Sequence, residues 1–230
     1  ILAVVVALAQ TDAKRLLAYH SVSQMGYVLA AFAAAGSLAT AASFAHAISH
    51  AFFKSLLFLT VGAAIQLTGT RNLYEMEPLG KRTPLLALFY LVGALSIAGL
   101  PPFNGYVSKT LVFQSVSGSP VYVLLWITAA ATVASFIKLS RIFLPVSLPP
   151  RRAGGGTTPE GHGETQSPGG ATETGPGAEI RARRPGALLL IASGVLAGVC
   201  VLGGVAGRPL ARALHLIAGS GPPPSLPGFY

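Results

Sequence analysis

The stretch HAISHAFFK, residues 46 to 54, places His46, His50 and Lys54 at i, i+4 and i+8 inside an otherwise apolar run from Leu38 to Gln66. That spacing puts all three on one stripe of a helix, with Ser43 a turn earlier. The stripe rises ~12 Å from His46 to Lys54. A charged lysine in mid-bilayer costs at least ~2.5–3.5 kcal/mol, so such a residue faces a bundle interior or a hydrated cavity and marks function by default. Histidine titrates near physiological pH, and withdrawal from water disfavours the charged form of an amine. Together they can hand protons along. A lone histidine would more simply be an interhelical hydrogen bond, but two in register with a lysine favour function. Histidines at i and i+4 can also chelate zinc. That reading needs a third ligand, and no carboxylate lies in the apolar runs. A bis-histidine haem needs a facing histidine, for which His20 is the only candidate. Neither metal nor cofactor is expected.

A second lysine, Lys109, stands in SIAGLPPFNGYVSKTLVF. Gly99-Leu100-Pro101-Pro102, followed by Asn104-Gly105, interrupts an apolar segment. The prolines remove two backbone donors, and Gly99 and Gly105 are expected to loosen the ends of the break. Freed backbone at membrane depth is tolerated only where protein or a water-filled cavity surrounds it, and discontinuous helices mark ion sites in transporters. Lys109 falls about one turn into the second half-helix. The bland alternative is a proline kink with a snorkelling lysine. The sharper expectation is a water-linked proton relay of His46, His50, Lys54 and Lys109.

The elements that must carry these residues follow from composition. The 230 residues are 52% hydrophobic and 10% charged, with mean hydropathy +0.62, against about 25% charged for a soluble domain. An all-α, polytopic transmembrane helix bundle with one discontinuous helix is expected. Apolar segments run over 1–9, 16–35, 38–66, 84–117, 121–144 and 186–206. The first is shorter than the ~20 residues of a spanning helix, so the chain reads as the C-terminal portion of a longer protein. Residues 1–145 form the membrane domain and 146–185 a disordered Gly/Pro-rich cytoplasmic loop. A last transmembrane helix over 186–206 and a tail over 207–230 follow. One crossing per segment gathers Lys14, Arg15, Arg71, Lys81, Arg82, Lys138 and Arg141 on one side with the loop's arginines, leaving Arg208 and Arg212 on the other. That bias makes the first side cytoplasmic. It also attributes the net charge of +9 to topology rather than to nucleic-acid binding. The lone Cys200 says nothing of redox compartment. In the last apolar segment, Gly194 and Gly198 form a small-xxx-small pair suited to close helix packing.

Three blocks, TDAKRLLAYHSVSQMGYVL, HAISHAFFKSLLFLTVGAAI and GLPPFNGYVSKTLVF, occurring in that order, resemble the antiporter-like proton-channel subunits of respiratory complex I, Mrp-type antiporters and membrane-bound hydrogenases. The resemblance covers roughly residues 5–115. It implies a bundle of two inverted repeats, of which this chain holds the second with trailing helices. It also places His46, His50 and Lys54 on a central hydrophilic axis and makes Lys109 the ionisable residue of the broken helix. His20 stands where many members carry a small hydroxyl residue and receives no role. The family's glutamate–lysine pair belongs upstream of Ile1. The implied function is a proton-translocating subunit of an energy-converting NADH:quinone oxidoreductase or related complex in a bacterial inner or plasma membrane. Its partners are other membrane subunits, and protons or Na+ are its cargo. The chain carries no redox site; its single cysteine excludes a cluster held by four thiolates of its own. The alternatives are an Mrp-type cation/proton antiporter component without redox partners, and an inactive truncated fragment.

Overall fold

A computed structural model describes residues 1–144 and 185–207. The expected loop as far as residue 184 and the tail from Arg208, with Arg212, lie outside the described residues. Within them the chain is helical: α1 Leu2–Ala9, α2 Ala13–Ala33, α3 Ser37–Thr68, α4 Pro84–Ala98, α5 Asn104–Ser115, α6 Pro120–Leu139 and α7 Ala187–Val205. Each apolar run has become one helix except the fourth, which is split into α4 and α5. A short 3-10 turn, Ser140–Ile142, extends α6. Helices Ser37–Thr68 and Ala187–Val205, together with the stretch Pro120–Ile142, are long and apolar enough to cross a membrane by length and composition.

Local chemistry sets the boundaries. The Asp12 side chain accepts from Arg15 N–H at 3.0 Å and starts α2, three residues ahead of its apolar run. Ser119 caps α6 ahead of Pro120, where a proline loses no hydrogen bond. Gly69 ends α3 in the left-handed conformation (φ 74°), its N–H bonded to Ile65 O at 2.9 Å. In the connection that follows, Glu75 accepts from Thr70 at 2.9 Å and from Asn72 at 2.6 Å, so this acidic residue is spent on holding a turn.

One end of the bundle is stitched together. Asp12 pairs with Asn72 in a single antiparallel bridge. Leu79 N–H and Gly80 N–H donate to Ile142 O and Phe143 O at 2.8 and 3.0 Å. Lys138 donates to Leu8 O at 3.0 Å and to Gln10 O, and Arg141 stacks on Tyr74. The α1–α2 turn, the α3–α4 connection and the end of α6 therefore meet, and they carry Lys14, Arg15, Arg71, Lys81, Arg82, Lys138 and Arg141, the described residues that loop counting grouped on one side. Since α4 begins at this end and α5 finishes beside the start of α6, where Phe113 packs on Tyr122 and Trp126, the two half-helices traverse the bundle once between them.

The buried apolar residues form two clusters rather than one. The larger joins Leu16 and Leu17 of α2 with Phe53, Leu56 and Leu57 of α3, Ile97 of α4 and Phe136 of α6. The smaller joins Tyr27 and Ala31 of α2 with Ala42 and Ala45 of α3 and Val107 and Leu111 of α5. What lies between them is polar and buried: His20, Ser23 and Gln24 on α2, His46, Ser49 and His50 on α3, and Ser96, Asn104 and Ser108 around the helix break. A polar layer crosses the middle of an apolar bundle.

Close packing of α7 falls elsewhere than expected. A Cβ on Gly198 would meet nothing within 4 Å, and one on Gly194 would touch only Phe89, at 3.3 Å. A Cβ on Gly204 would lie 1.7 Å from Pro102 O. The intimate contact is thus with the helix break, because its non-helical backbone protrudes where a regular helix would present side chains.

Candidate functional site

The histidine–lysine stripe of α3 faces inward along its whole length. His46 is fully buried, and His50, Lys54 and Lys109 are 9%, 7% and 4% exposed. His46 bridges three helices: Nε2 pairs with Gln24 Oε1 of α2 at 3.1 Å, and Nδ1 with Ser108 Oγ of α5 at 3.0 Å. The Ser108 hydroxyl also lies 3.3 Å from Gly105 O. It has one proton, so it donates either to the imidazole or to that carbonyl. With His46 neutral, Nε2–H donates to Gln24 and Ser108 donates to Nδ1. With His46 charged, Nδ1–H donates to Ser108, whose proton turns onto Gly105 O. Both protonation states are hydrogen-bonded without moving a helix.

His50 packs edge-on against Phe53, with centroids 5.4 Å apart, and its Nε2 has no hydrogen-bond partner among the described residues. One turn on, the Lys54 amine donates to Leu17 O of α2 and lies 5.1 Å from the Phe58 ring. Lys109 donates to Ile97 O at 2.7 Å and sits 5.1 Å from the Tyr27 ring; the Tyr27 hydroxyl in turn donates to Leu125 O at 2.9 Å. Beside Lys109 opens a cavity of about 440 Å³ walled by Tyr106, Phe113, Tyr122 and Trp126.

The break itself is tightly satisfied. Gly99 adopts φ 83° and its N–H reaches Leu95 O and Ser96 O, a conformation that glycine alone takes without cost. Leu100 N–H also returns to Leu95 O at 3.1 Å. Ser96 donates its hydroxyl to Asn104 Oδ1 and accepts from Gly105 N–H at 3.4 Å. Lys109 takes the Ile97 carbonyl, so a cation caps the C-terminal end of α4, where the helix dipole favours positive charge. Pro101 and Pro102, both exposed, sit in the turn between the half-helices. Gly105 does not loosen its end of the break, as the sequence suggested. A Cβ there would stand 1.7 Å from Ser96 O, so glycine lets α5 press directly on the last turn of α4.

Sequence reasoning placed His46, His50, Lys54 and Lys109 individually. It missed Gln24 and Ser108, the two side chains through which His46 joins α2 to α5, and it left His20 without a role. The signal was present on α2: His20, Gln24 and Tyr27 lie at i, i+4 and i+7, one buried stripe facing that of α3. Among the described residues, no three His, Cys, Asp or Glu side chains come together as a metal site.

These features define a class: a membrane helix bundle whose discontinuous helix meets a buried basic axis. The chain belongs to the NADH:quinone oxidoreductase/Mrp antiporter transmembrane family, which matches residues 1–137. Among curated relatives it is 33% identical to an Na(+)/H(+) antiporter subunit of Alkalihalophilus pseudofirmus over 138 residues, 60% of this chain and 28% of that protein. It is 31% identical to an NADH-quinone oxidoreductase subunit of Rickettsia typhi over 139 residues, 60% and 21% of the two chains. A hydrogenase-4 component of Escherichia coli is 34% identical over 163 residues, covering 60% of this chain and 24% of that one. The chain thus spans between a fifth and a third of the length of these relatives. Among solved structures, the Mrp complex from Dietzia sp. superposes with a TM-score of 0.71 at 25% identity, over 95% of this chain and 44% of its counterpart. An archaeal membrane-bound sulfane sulfur reductase gives 0.72 at 27% identity, over 92% and 32%. The chain is an antiporter-like, multi-pass membrane protein.

Proposed function

We propose that this chain is the proton-conducting portion of a subunit of an energy-converting NADH:quinone oxidoreductase or related complex, and that protons move along His46, His50, Lys54 and Lys109. The observation that carries the reading is His46 bonded at once to Gln24 of α2 and to Ser108 of α5, one residue from Lys109. This links the α3 stripe to the broken helix through groups that can exchange a proton. Two further facts support it. Both lysine amines are held by main-chain carbonyls, not by carboxylates, so either can lose its proton without breaking a salt bridge. The polar layer also lies in mid-bundle, between the two apolar clusters.

The test is proton uptake into sealed vesicles holding the full-length complex, with assembly checked alongside. Lys109→Ala abolishes uptake and leaves assembly intact, while Lys109→Glu retains part of it, because a carboxylate also titrates in a hydrated, partly buried site. Normal uptake by a well-assembled Lys109→Ala complex defeats the relay, and a larger effect from Pro101→Ala points to architecture instead.

A second reading, a cation/proton antiporter component without redox partners, is favoured by the 33% identity to an Na(+)/H(+) antiporter subunit. Gene neighbours separate the two: quinone- or hydrogenase-type subunits support the first, small antiporter subunits the second. In either case we place residues 1–145 as the antiporter-like membrane domain in a bacterial plasma membrane. The basic end of the bundle is then cytoplasmic, continuous with a 146–185 loop, and residues 186–206 form a further transmembrane helix.

A further inference from the structure

The most unusual buried group is one the relay above does not use. His20 of α2 is completely buried, and neither of its ring nitrogens finds a hydrogen-bond partner among the described residues. Its ring packs against Phe136 of α6 with centroids 5.0 Å apart. An imidazole stripped of water and left without partners on both sides is costly, so its position calls for an occupant.

The register between α2 and α3 says where that occupant lies. The two helices run antiparallel, and two cross-links fix their alignment: Gln24 to His46, and Leu17 O to the Lys54 amine. His20 lies four residues before Gln24 and three after Leu17, while His50 lies midway between His46 and Lys54. His20 and His50 therefore occupy the same level, one turn from each cross-link. His50 Nε2 is also buried without a partner, as are Gln24 Nε2 and Ser23 Oγ on α2 and Ser135 Oγ on α6 next to Phe136. Unpaired polar atoms of α2 and α3 thus lie within about a turn of one level of the bundle. Buried groups of this kind are normally satisfied by internal water.

We propose that His20 is a member of the proton path, facing His50 across a small cluster of bound water at the level between His46 and Lys54. This rests on the relay reading and deepens it. His50 and Lys54 are on one helix, and water between α2 and α3 supplies the lateral step that α3 alone lacks. Imidazole suits the place because it takes a proton at one ring nitrogen and releases another from the opposite one. Only N–H and O–H bonds form and break, and the histidine returns to its neutral form after each transfer.

The experiment uses the full-length complex. A high-resolution cryo-electron microscopy map is expected to show ordered water within hydrogen-bond distance of both His20 and His50 Nε2; a dry contact between the rings overturns the proposal. In sealed vesicles, His20→Leu lowers proton uptake by about 100-fold or more, the low end of what a positioned acid–base group contributes. His20→Gln, which holds water but does not titrate, keeps assembly and also loses most uptake. It decides the matter should the leucine variant fail to assemble. Full uptake by an assembled His20→Gln complex, with Lys109→Ala inactive, removes His20 while sparing the relay. Full uptake by both removes the relay itself.

Discussion

The molecule hosts two buried lysines in two different ways. Lys54 belongs to an uninterrupted helix of 32 residues and reaches sideways to Leu17 O in the second turn of α2, a carbonyl that also receives the Ser21 hydroxyl at 3.4 Å. Lys109 belongs to a half-helix of 12 residues and reaches Ile97 O, which the break has released from the helical ladder. The first amine is an addition to a helix that is complete without it. The second fills a place that the backbone left open, at the end of a helix dipole. Similar burial and the same acceptor chemistry thus conceal different dependences: α2 does not need Lys54, whereas α4 ends on Lys109.

The largest effect expected is common to both lysines. In the full-length complex, Lys54→Ala and Lys109→Ala each lower proton uptake by about 100-fold or more, as loss of a positioned proton-transfer group does. If only one is inactive, the relay does not run through both regions.

Next comes the break itself. Gly105→Ala forces a methyl into Ser96 O and costs about 3 kcal/mol or more, at the severe end of overpacking. It is visible as a lowered Tm of the detergent-solubilised protein or as failure to assemble. An unchanged Tm means that α4 and α5 are not pressed together.

Stability separates the two lysines where transport does not. Lys109→Met deprives the Ile97 carbonyl of its amine partner and costs about 1–3 kcal/mol. Lys54→Met removes an amine from an apolar site and leaves α2 intact, so it is neutral or stabilising. Thermal unfolding of the two variants side by side shows a loss for Lys109→Met and none for Lys54→Met, and equal losses erase that distinction.

The smallest effect tests α7. Gly198→Ala has open space and gains helix propensity, so it stabilises by up to about 1 kcal/mol. Gly204→Ala, aimed at Pro102 O, destabilises. The same thermal assay reads both, and a reversed order means that α7 does not pack on the break.

Some of this was legible in the chain. Helix count and the single break followed from apolar runs and from Gly-Leu-Pro-Pro, because in hydrocarbon the backbone has few alternatives to a helix. The inward face of α3 followed from His46, His50 and Lys54 at four-residue spacing, because no other face of a membrane helix accepts them cheaply. The role of Gly105 was misread: glycine permits both loosening and close approach, and only the position of Ser96 distinguishes them. Of the Gly194–Gly198 pair only Gly194 meets a neighbouring helix closely, at Phe89 of α4, since a small-residue motif offers space without saying what fills it.

The sequence by itself determined an all-helical membrane bundle, its broken helix, and which basic side chains the bundle turns inward. Those are consequences of desolvation and of helical period, which act within a single segment. Tertiary structure alone decided that His46 joins Gln24 to Ser108, that Lys54 leans on a complete helix while Lys109 closes a broken one, and that His20 stands level with His50. Each depends on the register between helices distant in the chain, and that register is set by the packing of all their side chains together.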